Sequence, residues 1–142
     1  MPENRFRLTP EVPGGLGPNT IIDKPGHPPI IKHLHFQFAD WLGDDLIESF
    51  PCFLVTESMY HRLLDNNISG ITANKNVEFS FYDIFYDLNP DGKSVPEFIW
   101  INISSDGNDD FYIDKEKYLN VSQKALHVLK EGNLRYCKIA ES

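Results

Sequence analysis

One pattern occurs twice in this sequence and constrains the fold more than any other feature. In each copy a short apolar stretch, at residues 52–55 and 118–121, is followed by a hydroxyl residue, Thr56 or Ser122, and then by apolar residues at helical spacing. The apolar stretches are typical of strands, and the hydroxyl is typical of a helix N-cap, whose oxygen accepts a hydrogen bond from a free backbone N–H. The sequence therefore predicts a duplicated strand–cap–helix–strand unit with two principal helices.

The sequence around these units is rich in predicted strands. Alternating apolar and polar residues, or short apolar stretches, predict strands over 30–38, 77–82, 95–103 and 111–113. Residues 40–50 favour a turn or short helix, and Asn89 to Gly92 favours a turn. The expected fold class is α+β, with a mainly antiparallel or mixed sheet.

Residues 1–29 differ from the rest of the chain in composition. They hold seven of the ten prolines and four of the nine glycines. Such a segment does not continue a helix or a central strand, so we expect an irregular N-terminal arm, wrapped on the body or on a partner subunit. The predicted division is an arm over 1–29 and one α+β domain over 30–142, and the arm leaves a homo-oligomer open.

The net charge limits the class of partner, and the apolar runs and the residues after Met1 indicate the compartment. A net charge of −8 argues against binding nucleic acid or anionic lipid, since both require a basic surface. No apolar run is long enough to span a bilayer, and no secretory signal follows Met1, so we expect a cytoplasmic protein. Cys52 and Cys137 lie in apolar stretches and are expected to be buried free thiols.

The acidic residues are concentrated in one part of the chain. Residues 83–114 contain eight acids against the single base Lys93. This stretch is either a solvated loop surface or a face that docks on a basic partner. The nearest aromatic candidates for buried anchors are Tyr82, Phe85, Tyr86, Trp100 and Tyr112. The residues predicted to bind a partner are Asp87, Asp91, Asp106, Asp109, Asp110, Tyr86 and Tyr112.

The sequence gives little support for a catalytic or metal-binding site. The sequence contains neither a Gly-x-Ser-x-Gly elbow nor a P-loop, so no catalytic residue and no cofactor is predicted. His33 and His35 leave the same face of a predicted strand, but no third metal ligand accompanies them. Asp106 to Asp110 begins like a calcium loop, yet Lys117 stands where the bidentate glutamate belongs. No metal site is predicted, although a small metal-dependent hydrolase using His33 and His35 stays an alternative, as does a non-enzymatic scaffold.

Three segments give the sequence a resemblance to a family. Residues 40–57, 109–112 and 119–126 are similar to small bacterial immunity proteins of polymorphic toxin systems, in which an acidic-aromatic segment leads into a strand ending in Val-Ser and then a short helix. The resemblance covers about residues 34–139. It implies a cytoplasmic antitoxin that neutralises a cognate toxin by binding it and occluding its active site, without catalysis. A toxin that acts on anionic substrates has a basic cleft, which an acidic surface complements.

Overall fold

The computed structural model describes residues 4–26 and 29–141, and these form an α+β fold as the sequence predicts. The expectations for residues 1–3, 27–28 and 142 lie outside the described residues. The elements are β1 (Arg5–Thr9), β2 (Gly14–Leu16), β3 (Ile21–Lys24), β4 (Ile30–Phe38), β5 (Leu46–Ser49), β6 (Cys52–Thr56), α1 (Glu57–Asp65), β7 (Ile71–Asn74), β8 (Val77–Phe81), α2 (Asp83–Leu88), β9 (Phe98–Ile103), β10 (Phe111–Ile113), β11 (Leu119–Ser122), α3 (Gln123–Glu131) and β12 (Lys138–Glu141).

The strands pair in three groups. One sheet has the order β10-β11-β1-β12, a second has the order β5-β6-β9-β7, and in the third β4 pairs with β2 and β3 and also with β8. The strand pairs are antiparallel except for β4 and β8, which run parallel. The prediction of a mainly antiparallel or mixed sheet is confirmed.

The sheet β5-β6-β9-β7 separates two hydrophobic cores. All five residues of β6 are buried, and alternate side chains enter different cores: Phe53 and Val55 pack with α1 and α3, while Leu54 packs with β4. β9 does the same, with Ile101 on the helical side and Trp100 on the other. Alternation of side chains across a strand explains why β6, whose first four residues are all apolar, lies in the middle layer.

The two principal helices begin where the sequence predicts. The Thr56 hydroxyl accepts a hydrogen bond from the Met59 N–H at 3.3 Å, and the Ser122 hydroxyl accepts one from the Ala125 N–H at 3.1 Å. Each N-cap of this kind contributes about 1 kcal/mol to helix stability. The nine-residue helices α1 and α3 are therefore capped in the same way.

An aspartate supports each N-cap and ties it to the end of the other helix. Asp45 accepts the Thr56 hydroxyl hydrogen bond at 2.7 Å and also the N–H of Asn133, which follows α3, at 2.7 Å. Asp110 accepts the Ser122 hydroxyl at 2.7 Å and the N–H of Ser69, which follows α1, at 2.9 Å. The duplication seen in the sequence is thus a duplication of contacts, in which the two units are linked reciprocally.

The N-terminal segment is more regular than expected. β1 lies between β11 and β12 and its Leu8 is buried, while β2 and β3 pair with β4. The prolines at 10, 13, 18 and 25 fall between these strands, where a missing N–H costs no ladder hydrogen bond. The expectation of an irregular arm was therefore wrong over 5–9, 14–16 and 21–24. A role of the arm in homo-oligomers stays a prediction.

Three local expectations also need correction. Residues 46–49 form a strand rather than a helix, because Leu46 enters one core and its neighbour Ile47 enters the other. The short helix α2 was not foreseen. The exit strand β12 begins at Lys138 rather than at Leu134, since the N–H groups of Arg135 and Tyr136 bind the buried Asp44 carboxylate at 2.9 and 2.8 Å. Within residues 4–26 and 29–141, no helix has the length and apolar character required to cross a membrane.

Candidate protein-binding surface

The structure divides the predicted partner-binding residues into two groups. Tyr86 and Asp87 lie in α2 and Asp91 in the turn that follows it, all before β9. The turn after β9 holds Asp106, Asp109 and Asp110, and Tyr112 follows in β10. The two groups are separated along the chain by β9, whose six residues, at a rise of about 3.4 Å per residue, span about 17 Å.

Part of the group after β9 is engaged by contacts within the chain. Asp110 supports the Ser122 cap, as described above. The Arg5 guanidinium donates to the backbone oxygens of Asp109 at 2.7 Å and Gly107 at 3.1 Å, and it lies 5.5 Å from the centre of the Tyr112 ring. Tyr112 is therefore already engaged by a cation.

A second arginine of β1 reaches the same end of the acidic stretch. Arg7 pairs with Asp114 at 3.1 Å. Burial alone would raise the pKa of Asp114, but hydrogen bonds from the Tyr118 N–H, the Asn120 amide and the Glu116 N–H lower it, together with the charge of Arg7. The negative charge of residues 106–114, unopposed in the sequence, is thus partly neutralised in the fold.

The group before β9 is exposed and apolar as well as acidic. Five large apolar side chains on β8 and α2 are exposed: Phe79 39%, Phe81 36%, Ile84 51%, Tyr86 59% and Leu88 55%. Phe81 joins the strand to the helix, because its ring centre lies 6.3 Å from that of Tyr86. Asp83 and Asp87 are exposed in the same helix, and neither forms an ion pair within the described residues. We call these seven residues, which lie around the exposed surface of α2 and on the neighbouring strand β8, the α2–β8 face.

A groove of about 300 Å³ continues this face toward the start of β9. Phe79 and Phe81 line one side, and residues 95–99 line the other. The carboxyl groups of Glu57 and Glu97 meet at its rim. A hydrogen bond with Glu57 and repulsion from its charge raise the pKa of Glu97, so this rim attracts either a proton or a cation.

Two of the aromatic anchor candidates belong to the core. Phe85 and Trp100 are 4% and 5% exposed and pack with β4. Tyr82, half-buried, is the N-cap residue of α2. The sequence placed Phe79 and Phe81 on a strand but gave no sign of their exposure, because exposure depends on which elements pack over β8 in the fold. The sequence gave no sign that Glu57 belongs to this surface, because its neighbour Glu97 lies 40 positions away in the chain.

The two strand histidines face one glutamate. His33 Nε2 lies 3.6 Å and His35 Nδ1 lies 3.5 Å from the carboxylate of Glu78. The His35 ring also contacts the Ser80 hydroxyl through Nε2 at 2.7 Å, and its Nδ1 accepts the Asn19 N–H at 3.2 Å. Among the residues that the structure describes, no group of three or more His, Cys, Asp or Glu has an arrangement that would hold a metal ion.

Both cysteines carry free thiols with little tendency to ionise. Cys52 is buried and Cys137 is half-buried. Burial raises the pKa of each thiol to about 12, so both stay protonated at neutral pH.

Comparisons of the chain with protein families, with curated proteins and with solved structures find no match in any of the three. A proposal for its function therefore rests on its own residues and surface.

Proposed function

We propose that this protein is a cytoplasmic immunity protein that neutralises a cognate toxin by binding it and occluding its active site. The exposed apolar and acidic α2–β8 face is the observation that carries the proposal. The resemblance of residues 40–57, 109–112 and 119–126 to immunity proteins supports it from the sequence. The proposed binding requires no cofactor and no catalytic residue.

The composition of the α2–β8 face suits protein binding. Exposed apolar patches on monomers are often functional, and tyrosine is enriched among residues that dominate binding energy. Tyr86, 59% exposed, supplies a large rigid side chain next to Phe81. Its burial by a partner would remove apolar surface from water on both sides of the contact.

The charge of the same face selects a basic partner. Asp83 and Asp87 are exposed and form no ion pair with any residue that the structure describes, and Glu57 and Glu97 add two carboxyl groups at the groove. Complementary charge raises the association rate toward about 10⁸ M⁻¹s⁻¹ at low salt. A toxin that acts on an anionic substrate offers a basic cleft, so an acidic face would compete with the substrate for it.

A growth-rescue assay with matched variants tests the proposal. The toxin domain encoded next to this gene is expressed in a bacterial host with and without the protein, and binding is measured with purified components. We expect wild type to restore growth. Tyr86→Ala should weaken binding by about 2 kcal/mol, roughly 30-fold, while Tyr136→Ala, which truncates another exposed tyrosine, should leave it unchanged.

The charge contribution is measured separately. Asp87→Lys should slow association by about tenfold at low salt and have little effect at high salt, because salt screens the attraction. Asp65→Lys makes the same charge change at the end of α1, away from the face, and should have a much smaller effect. Failure of wild type to restore growth would contradict the proposed function. Rescue that is insensitive to Tyr86→Ala and Asp87→Lys would contradict the choice of face.

A further inference from the structure

One edge of the third sheet has no neighbouring strand among the residues that the structure describes. β4 is paired along one side by β2 and β3 and along the other by β8. β8 pairs with β4 alone among the described strands, with Phe79 opposite Phe36 and Phe81 opposite Phe38. The far side of β8 is therefore an open edge over residues 77–81.

The register shows which peptide groups this edge presents. The Asn76 carbonyl accepts the Leu34 N–H at 3.1 Å, and the Tyr82 N–H donates to the Phe38 carbonyl at 2.9 Å, so residues 76 and 82 direct their backbone groups toward β4. In a parallel pair the residues alternate between the two sides of the strand. The N–H and C=O groups of Val77, Phe79 and Phe81 consequently point away from β4 to the open edge.

Natural edge strands usually carry features that prevent pairing with another chain, such as lysine, proline or a bulge. The edge strands β3 and β12 contain Lys24 and Lys138. β8 has the sequence Val-Glu-Phe-Ser-Phe, with no lysine or proline, and its register with β4 is continuous over five residues. Its edge is thus unprotected where the apolar groove lies beside it.

A single strand added next to β8 could pair with its open edge and also place side chains in the groove. Phe79 and Phe81 direct their side chains to the groove, and their backbone groups face the edge. Alternate side chains of an added strand would enter the groove against Phe79, Phe81 and residues 95–99. Its other side chains would lie on the face of Glu78, and a base at the groove would meet Glu57 and Glu97.

We propose that an extended segment of the partner, alternating apolar and basic residues, adds to the sheet as a strand along the open edge of β8. This inference rests on the proposed function, for which it names the mode of docking. Backbone hydrogen bonds would supply affinity independent of sequence, and the groove with its carboxyl rim would select apolar side chains and a cation. The proposed occupant is a partner segment, rather than a second copy of this acidic chain.

Amide hydrogen exchange followed by NMR tests the inference with a defined probe. The probe is a blocked heptapeptide of alternating lysine and valine, titrated to millimolar concentration into the full chain. In the free protein the Phe79 and Phe81 amides should exchange fast, while the Tyr82 amide, bonded to Phe38, exchanges slowly. With peptide, exchange at Phe79 and Phe81 should slow by at least about tenfold. Absence of binding, or binding that leaves both amides unprotected, would overturn the inference.

Two N-methylated peptides provide a sharper control. One carries methyl groups on the valine nitrogens and the other on the lysine nitrogens. In a strand only every second N–H faces the neighbour, so one of the two peptides should lose binding and the other should keep it. If both or neither lose binding, the peptide does not add as a strand.

Charge variants locate the cationic contact. Glu97→Lys should weaken the binding of the unmethylated peptide by about tenfold, while Asp65→Lys, which makes the same charge change elsewhere, should leave binding unchanged. Equal affinities for the two variants would contradict the role of the groove rim. Growth rescue by wild type without peptide binding at β8 would overturn strand addition and leave the proposed function standing.

Discussion

Replacing Asp110 with alanine should destabilise the protein by about 2 to 3 kcal/mol, far more than a surface acid usually contributes. Its carboxylate accepts three hydrogen bonds, from the Ser69 N–H at 2.9 Å, the Ser69 hydroxyl at 3.2 Å and the Ser122 hydroxyl at 2.7 Å. A bond to a charged group contributes about 1.5 to 3 kcal/mol, which we reduce to about 1 kcal/mol each because this carboxylate is half-buried. The Ser122 cap on α3 also loses its support.

Urea unfolding at neutral pH, followed by circular dichroism, measures this effect. Asp109→Ala is the matched control, since it removes the same charge from the next residue, whose side chain accepts no hydrogen bond in the described part of the chain. We expect it to change stability by less than about 0.5 kcal/mol. In a double-mutant cycle, Asp110→Ala and Ser122→Ala should couple by about 1 kcal/mol. Equal effects of Asp110→Ala and Asp109→Ala would refute the reasoning.

The pH dependence of the Asp110 effect has a definite sign. Burial alone would raise the pKa of Asp110, but hydrogen bonds from Ser69 and Ser122 and the charge of Lys124 bring it below the ordinary value of 3.8. A carboxyl with a lowered pKa in the folded state stabilises the protein above its unfolded pKa, and this stabilisation is lost as the pH falls through the lowered pKa. The difference in stability between wild type and Asp110→Ala should therefore be largest near pH 7 and decrease in strong acid.

Further predictions concern other positions of the fold. Gly70→Ala should lower the free energy of unfolding by about 3 kcal/mol, because φ is +93° and an added Cβ would collide with the Phe111 carbonyl. Gly92→Ala should lower it by only about 1 kcal/mol, because φ is +86° but the space around the residue is open. Similar unfolding energies for the two variants would show that the collision is relieved. Burial raises the pKa of Glu48 to about 6, so this carboxyl holds its proton more tightly in the folded protein than in the unfolded chain. The stability of the protein therefore declines as the pH rises from about 4.5 through 6. Glu48→Gln should therefore raise the free energy of unfolding by about 1 kcal/mol at pH 8, after allowance for the partial exposure of this side chain, and leave it unchanged at pH 4. Thermal melts at both pH values check this, and an equal gain at the two would argue against titration of Glu48.

Elements with a strong local pattern could be predicted from the sequence. β4 spans 30–38 as expected, and both helices begin after Thr56 and Ser122 as expected. In these segments the alternation of side chains and the capping hydroxyl act within a few residues, so neighbours in sequence are sufficient to decide the structure. β1 had such a pattern too, with Phe6 and Leu8 alternating with polar residues, but the density of prolines around it concealed the strand.

The candidate binding surface could be predicted only in part. The sequence selected Tyr86 and Asp87, which are exposed on α2. It also grouped them with Asp110, which accepts a hydrogen bond from the Ser122 N-cap of α3, and with Tyr112, which lies beside Arg5. Neither the open edge of β8 nor the meeting of Glu57 and Glu97 has a local signal, because each depends on which strands become neighbours.

The sequence by itself determined the strand–cap–helix units and the acidic, mainly antiparallel α+β character of the protein, because periodicity and capping are properties of adjacent residues. Only the tertiary structure decided which acidic segments lie beside an arginine. Arg5 reaches the turn after β9 and Arg7 reaches Asp114, each across more than 100 positions of the chain. Asp83 and Asp87 of α2, in contrast, form no ion pair within residues 4–26 and 29–141. Electrostatic attraction depends on distance in space, which the fold sets and the order of residues does not show.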